Sequence, residues 1–428
     1  MSPTPGQAAR IMRIFPMISD RHTGLFKLLF CTLTLLLGTA SGAASARDCD
    51  QNSEGEAIIT VHCGAAPSAS FDESGRLWVA FVHNQHVYVS HSDDRGTSFS
   101  ASVQVNAVAE DTEYNGENRP KILTRDGRTI LLSWTTKTSA KFTGEIRFTR
   151  SVDGGRSFEA PRTINDDKLF TGHRFESLFL TESGHLYLAW IDKRDLEASL
   201  LEDKGYVGAA IYYAVSDDLG VTFSTNHRVA NNSCECCRIA IAPNGEDRVT
   251  ILWRQVFGED VRDHAIATLG KDGLIEDMQR ATYDEWHINA CPHHGPSMVG
   301  EPGSDDYHLA WFSNGEINQG IHYGRYSPTT KETTQVLRID GTPGAGHPQL
   351  ASVNGKLHLV WKGFDGKQTN LQMMISADGG KQWSEAQTLL VTEQASDHPL
   401  LVATDAAVYL SWHTEEFGYR FEEISGDR

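Results

Sequence analysis

The sequence predicts an all-β propeller of seven four-stranded units, and three observations predict it. The pattern Ser-x-Asp-x-Gly-x-x-aromatic occurs four times, at Ser92/Asp94/Gly96/Phe99, Ser151/Asp153/Gly155/Phe158, Ser216/Asp218/Gly220/Phe223 and Ser376/Asp378/Gly380/Trp383. A β-like run ending in an aromatic residue occurs seven times, closing on Phe81, Trp134, Trp190, Trp253, Trp311, Trp361 and Trp412, spaced 50 to 63 residues apart. Helical periodicity is nearly absent. A repeat near 55 residues suits one four-stranded propeller blade.

Each element has a local reason. In the Ser-Asp-Gly pattern the glycine supplies a positive φ, and Ser and Asp bond back to turn amides. The aromatic residue is expected to pack the turn against its own strands. Short strands precede the aromatic runs, at residues 67–71, 120–123, 175–180, 239–241, 296–299, 348–351 and 399–402. A further strand follows each run and leads to the turn. The last unit stops at Ser425, where such a turn would open. Residues 56–62 (Glu-Ala-Ile-Ile-Thr-Val-His) are expected to supply its missing strand and close the ring, which would leave no exposed sheet edge. Six blades, with one repeat an excursion, is the alternative count. Asp192–Gly208 and Val256–Asp263 read as long loops.

The four turns resemble the Asp-box, or BNR, repeat of the sialidase-like β-propellers, and the resemblance spans nearly all of the chain after residue 46. It implies a propeller but no activity, because the motif is a turn. Sialidases are six-bladed, so seven repeats depart from that family.

Residues 1–46 read as an export signal. Arg10, Arg13, Arg21 and Lys27 flank the apolar run Leu28–Leu37, and Ala44-Ser45-Ala46 matches a cleavage site. The run is too short to span a bilayer. The expected product, residues 47–428, is one exported domain, periplasmic or secreted. Removing four basic residues and one acid (net +3) moves the formal charge from −18 to −21. That charge argues against nucleic acid and anionic membranes and favours a small-molecule or metal-ion ligand, with a protein partner left open.

Six cysteines follow the signal. Cys49 and Cys63 are expected to pair and fasten the closing strand. The others gather in Cys234-Glu235-Cys236-Cys237 and in His287-Ile288-Asn289-Ala290-Cys291-Pro292-His293-His294. The repeat sets these stretches on adjacent units at one mouth of the channel. Thiolates with imidazoles suit a transition metal, and a thiolate-rich set favours copper, with zinc the alternative. The expected ligands are Cys234, Cys236, Cys237, Cys291, His293 and His294, with Met298 in reserve. Disulfides, Cys237–Cys291 or a vicinal Cys236–Cys237 bridge, are the competing reading in an oxidising compartment.

The residues just before the first strand of each unit are Ala66, Arg119, Arg174, Arg238, His294, His347 and His398. They are expected to ring one pocket, with Arg119, Arg174, Arg238, His347 and His398 as substrate-binding residues. The sialidase resemblance implies three arginines on a substrate carboxylate, an Asp acid and a Tyr/Glu nucleophile. Arg119, Arg174 and Arg238 are a match in kind, but Ala66-Pro67 stands where that family's first Arg-Ile-Pro would fall. Glu117, Glu176, Asp192, Asp195 and Asp397 are candidate carboxylates, and Tyr114, Tyr206 and Tyr283 candidate tyrosines. None sits in a motif of that family. The two functions carried forward are metal binding or redox at the Cys/His site, and an exo-glycosidase of sialidase type.

Overall fold

The computed structural model describes residues 48–204, 208–316 and 318–424. The expected export signal, Tyr206 and Ser425–Arg428 lie outside them. Strand takes up 51% of the chain and helix 3%, so the class is all-β. No helix among the described residues is long and apolar enough to cross a membrane.

Antiparallel sheets follow one another along the chain. The first contains Ala65–Phe71, Leu77–His83, His86–Ser92 and Val103–Gln104; the second contains Lys121–Arg125, Thr129–Lys137, Gly144–Ser151 and Arg162–Thr163. Next come His173–Leu180, Leu186–Asp192, Ala209–Ser216 and His227–Ser233, then Ala240–Asn244, Arg248–Phe257, Val261–Leu269 and Ile275–Arg280. These two sets merge through a single bridge, Ser233 to Gln255. Two more four-stranded sheets begin at Ser297–Gly300 and Gly346–Val353, and a three-stranded one holds Leu400–Ala403, Val408–Thr414 and Gly418–Glu423. The first strands touch in cyclic order: the strand at Ala65 lies against that at Lys121, and so on to Leu400, which returns to Ala65. The architecture is propeller-like.

The repeated aromatic residues lie inside the sheets. Phe81, Trp134, Trp190, Trp253, Trp311, Trp361 and Trp412 are all buried. A buried indole N–H needs an acceptor. Each has one: Glu110, Asp192, Gln255, Asp284 and Asp340 side chains for the first five tryptophans, and the Asp397 carbonyl for Trp412.

The four Ser-Asp-Gly turns share one bond pattern. In the third, Ser216 Oγ donates to Asp218 Oδ1 at 2.7 Å and accepts from Gly220 N at 2.7 Å. The expected packing of the turn on its own strands needs correction. Phe223 meets Phe148 of the preceding unit at 5.0 Å, and Trp383 meets Tyr323 of its preceding unit at 5.0 Å. Gly220, at φ +82°, leaves room for Phe148: a Cβ there would stand 2.4 Å from the ring. The turn is therefore a staple between neighbours. In the first unit it reaches round to the last, where Phe99 meets Tyr419 and Gly96 abuts Phe421.

Residues 56–62 do not form the expected strand. Ala57 bridges Gln51, Ile58 N bonds to Asp50 O, and Val61–Cys63 is a short 3-10 turn. The Cys49–Cys63 disulfide, as expected, ties the segment, but to itself rather than to a ladder. Ile59 and Val61 still cover the last sheet by packing with Tyr409, Tyr419 and Phe421. The two expected loops are also corrected. Arg194–Leu201 is a helix, whose first turn carries Asp195 and Glu197 against the positive helix end. Residues 256–263 are a strand pair, Arg248–Phe257 with Val261–Leu269, joined by a tight turn.

Candidate functional site

Because the first strands lie against one another in turn, several residues that open them come together around one carboxylate, Glu117. Its side chain is 2% exposed. Glu117 Oε1 accepts from Arg238 at 2.6 Å and from His347 Nδ1 at 3.1 Å, while Oε2 accepts the backbone N–H groups of Arg238 and Gly295 at 3.1 and 2.8 Å. His398 Nδ1 stands 3.5 Å from Oε1 without forming a hydrogen bond. Burial would raise this carboxyl, but the Arg238 charge and the His347 bond hold it well below the usual range.

Three imidazoles stack beside it. Ring centroids of His294 and His347 are 4.4 Å apart, those of His347 and His398 3.4 Å, and Phe312 caps His294 at 4.1 Å. Burial, with the neighbouring His398, pushes His347 down to about 3; burial likewise takes His398 to about 3. Both rings are neutral across the ordinary pH range. Glycines make room: a Cβ on Gly116 would stand 2.0 Å from His398, and one on Gly346 2.7 Å from His294.

The arginines are in the ring, but each is engaged by the protein. Arg119 is paired with Asp397 at 2.9 Å and donates to the Pro67, Gly116 and His398 carbonyls. Arg174 is paired with Glu113, and Arg238 with Glu117. Ala66 contributes no polar group. Of the candidate carboxylates, Glu117, Glu176 and Asp397 belong here; Asp192 and Asp195 serve the helix region, with Arg194 and Arg228. Tyr114 lines a neighbouring cleft of about 570 Å³ that shares Glu113, and Tyr283 lies at the surface over Arg280.

Sequence reasoning missed Lys121, Arg254 and Lys362. Lys121 is 3.7 Å from Glu176. Arg254 is buried and donates to the Arg262, His294 and Phe312 carbonyls. Lys362 donates to the Ser396 carbonyl at 2.8 Å, and burial pushes it down to about 8. A signal existed for the last two: each follows the repeat tryptophan by one residue, so its side chain leaves the opposite face of the strand.

The thiols form a second cluster. Cys234, Cys236 and Cys237 are each no more than 2% exposed, with Sγ–Sγ distances of 3.8, 3.9 and 4.0 Å. None is in a disulfide, and Cys291, exposed, contacts Cys236. Thiol hydrogen bonds from Cys236 and Cys237, helped by Arg254 and Arg262, lower Cys234 well below its usual range against the cost of burial. Burial and the Cys234 charge raise Cys237.

The expected six-residue ligand set is not gathered whole. His293 lies 6.3 Å from Phe175, which packs in the same core as the three thiols. His294 instead faces the Glu117 cluster, and Met298 is core beside Leu252 and Trp311. The turn of chain between positions 293 and 294, where His293 has φ 53°, sends successive side chains to different places.

A third group, Asp167, His173 and Asp192, is close-set enough to hold an ion. Arg194 already bonds both carboxylates there, at 3.2 and 2.8 Å, so a cation is in place.

No family model matches this chain, and no curated protein matches it by sequence. Its shape is similar to solved structures. An ulvan lyase, a polysaccharide lyase bound to -[GlcA(1-4)Rha3S]-, has a TM-score of 0.53 at 11% identity over 90% of this chain and 95% of that one. A Hadza microbial sialidase has a TM-score of 0.50 at 16% identity over 87% and 71%. A protein of unknown function from Dyadobacter fermentans has a TM-score of 0.52 at 12% identity over 74% and 95%. At such identities the likeness shows the fold alone, a propeller-like one shared with carbohydrate-active enzymes.

Proposed function

We propose that this chain is an exported seven-bladed propeller of the Asp-box type that holds a soft transition-metal ion, copper(I), on Cys234, Cys236 and Cys237, and acts in metal binding or redox. One observation carries the reading. Three sulfurs bound at 2.3 Å to one ion stand ~3.8 Å apart in a tetrahedral site and ~4.0 Å apart in a planar one. The three thiols are 3.8 to 4.0 Å apart. The all-sulfur donor set favours copper(I), with zinc second. Seven units and ring closure are supported by the cyclic contacts of the first strands and by the staple from the first unit to the last.

The test is metal analysis of reduced protein made without chelator. The expected result is one copper per chain, lost in Cys236→Ser and in Cys237→Ser. Metal-free wild type with all four thiols free would overturn it.

The exo-glycosidase reading keeps one observation in its favour. Arg119, Arg174, Arg238, Arg254, Lys121 and Lys362 outnumber Glu113, Glu117, Glu176 and Asp397 at the channel, in a chain of net charge −18. Such a positive spot draws anions. Against it, the guanidinium groups that would take a substrate carboxylate are paired with protein carboxylates. Cleavage of a sialoside by the metal-free protein would decide for it.

A further inference from the structure

A soft ion held by three buried thiolates cannot leave by simple dissociation without stranding charge in the core. It moves by ligand exchange, in which an entering sulfur bonds to the ion before a departing one lets go. No sulfur from outside can reach the trio, since Cys234, Cys236 and Cys237 are each no more than 2% exposed. One further free sulfur joins surface and interior. Cys291 is exposed, and it contacts Cys236.

The chain around Cys291 is built to move between fixed ends. On one side Arg262 N bonds to Trp286 O at 2.8 Å and Ile288 N to Asp260 O at 3.1 Å. On the other, Gly295 N bonds to Glu117 at 2.8 Å. Among the described residues, Asn289 to His293 form no backbone–backbone hydrogen bond. Pro292 has no N–H to offer, and the run has no regular secondary structure. Segments with few backbone bonds open at a low free-energy cost.

We propose that Cys291 is the exchange ligand of the thiol site, the sulfur through which copper(I) passes between the buried trio and an external thiolate donor. This rests on the metal reading above. In loading, the Cys291 thiol gives up its proton and its sulfur bonds to copper carried by the donor. The donor's copper–sulfur bond breaks, and the freed thiolate takes up a proton. The ion then bonds to Cys236, Cys234 and Cys237, whose thiol protons pass to the departing Cys291 sulfur and to solvent as the Cys291–copper bond breaks. Copper stays in the +1 state throughout, so no oxidant or reductant is needed. The donor is recognised by its thiolate, whether a small thiol or a cysteine on a partner protein.

The experiment loads reduced full-length protein from the copper(I)–glutathione complex under nitrogen and follows transfer by stopped flow. Equilibrium affinity is measured separately by competition with a copper(I) chelator. Cys291→Ser should keep one copper per chain with affinity within about tenfold of wild type, while transfer slows by tenfold or more. Asn289→Ala, altering the same segment at an exposed position without touching its sulfur, should transfer at the wild-type rate. A wild-type rate in Cys291→Ser would overturn the proposal, as would loss of binding in that variant, which would make Cys291 a resident ligand. Slow transfer from glutathione in wild type and Cys291→Ser alike also overturns it for small thiols. Repeating the assay with a copper-loaded Cys-x-x-Cys peptide then tests the protein-borne thiolate on the same criterion. Absence of copper from wild type would instead refute the metal reading itself.

Discussion

Replacing Glu117 with glutamine tests whether one carboxylate organises the channel. The change keeps size and shape but replaces one oxygen by an NH2. If that group takes the Oε1 place it faces the Arg238 guanidinium, now at 2.6 Å from an acceptor. If it takes the Oε2 place it faces the N–H groups of Arg238 and Gly295, at 3.1 and 2.8 Å from an acceptor. Either way a donor meets donors, and the Arg238 charge loses its partner in a site where Glu117 is 2% exposed. Breaking a buried pair from one side costs about 3–5 kcal/mol. Urea unfolding should therefore show a lower midpoint at unchanged slope, the mark of lost stability rather than altered compactness. Combining it with Arg238→Met should restore part of the loss, because the stranded charge is gone, with coupling of roughly 1 kcal/mol or more. A loss below about 1 kcal/mol for the single variant, or simple additivity of the two, would refute a central role for Glu117.

Two further predictions concern the scaffold. Gly220→Ala should cost about 2–4 kcal/mol, since it combines a left-handed backbone with a Cβ driven into Phe148. Gly75→Ala, at φ +84° with open space around it, should cost only about 1 kcal/mol; equal losses would mean that the turn is no inter-unit staple. His173 is pushed down by burial, but its bond to Asp167 and the charges of Asp192 and Asp167 win and raise it. A raised folded value adds stability that is fully present below the unfolded value of about 6.5 and lost as pH rises through the folded one. The stability gap between wild type and His173→Gln should shrink as pH rises over that window, and a flat profile would count against the charged pair.

The repeat was legible in the sequence because it is local physics. A strand closing on an aromatic residue, and a turn needing a positive φ, write themselves into seven and four copies whatever surrounds them. The spacing also suggested a common place for the residues that open the units, and Arg119, Arg238, His294, His347 and His398 do lie against one another or around Glu117, since equivalent positions of a repeat occupy equivalent places. The Cys49–Cys63 disulfide, expected as the fastening of the closing segment, is likewise present. Tertiary structure alone decided which partner each arginine and histidine took. Glu117 was one carboxylate among several until the chain brought residues 238, 295 and 347 to its two oxygens. The aromatic residues of the turns are expected to serve their own strands, but Phe99, Phe223 and Trp383 meet rings of the neighbouring unit. Neither was the closing segment readable, because residues 56–62 have strand-like composition while the bonds at Cys49–Cys63 and Gln51–Ala57 hold them elsewhere. Nor was the separation of His293 from His294: sequence neighbours share an address in the chain, but a backbone turn between them sends one imidazole toward the thiols' core and the other to the channel.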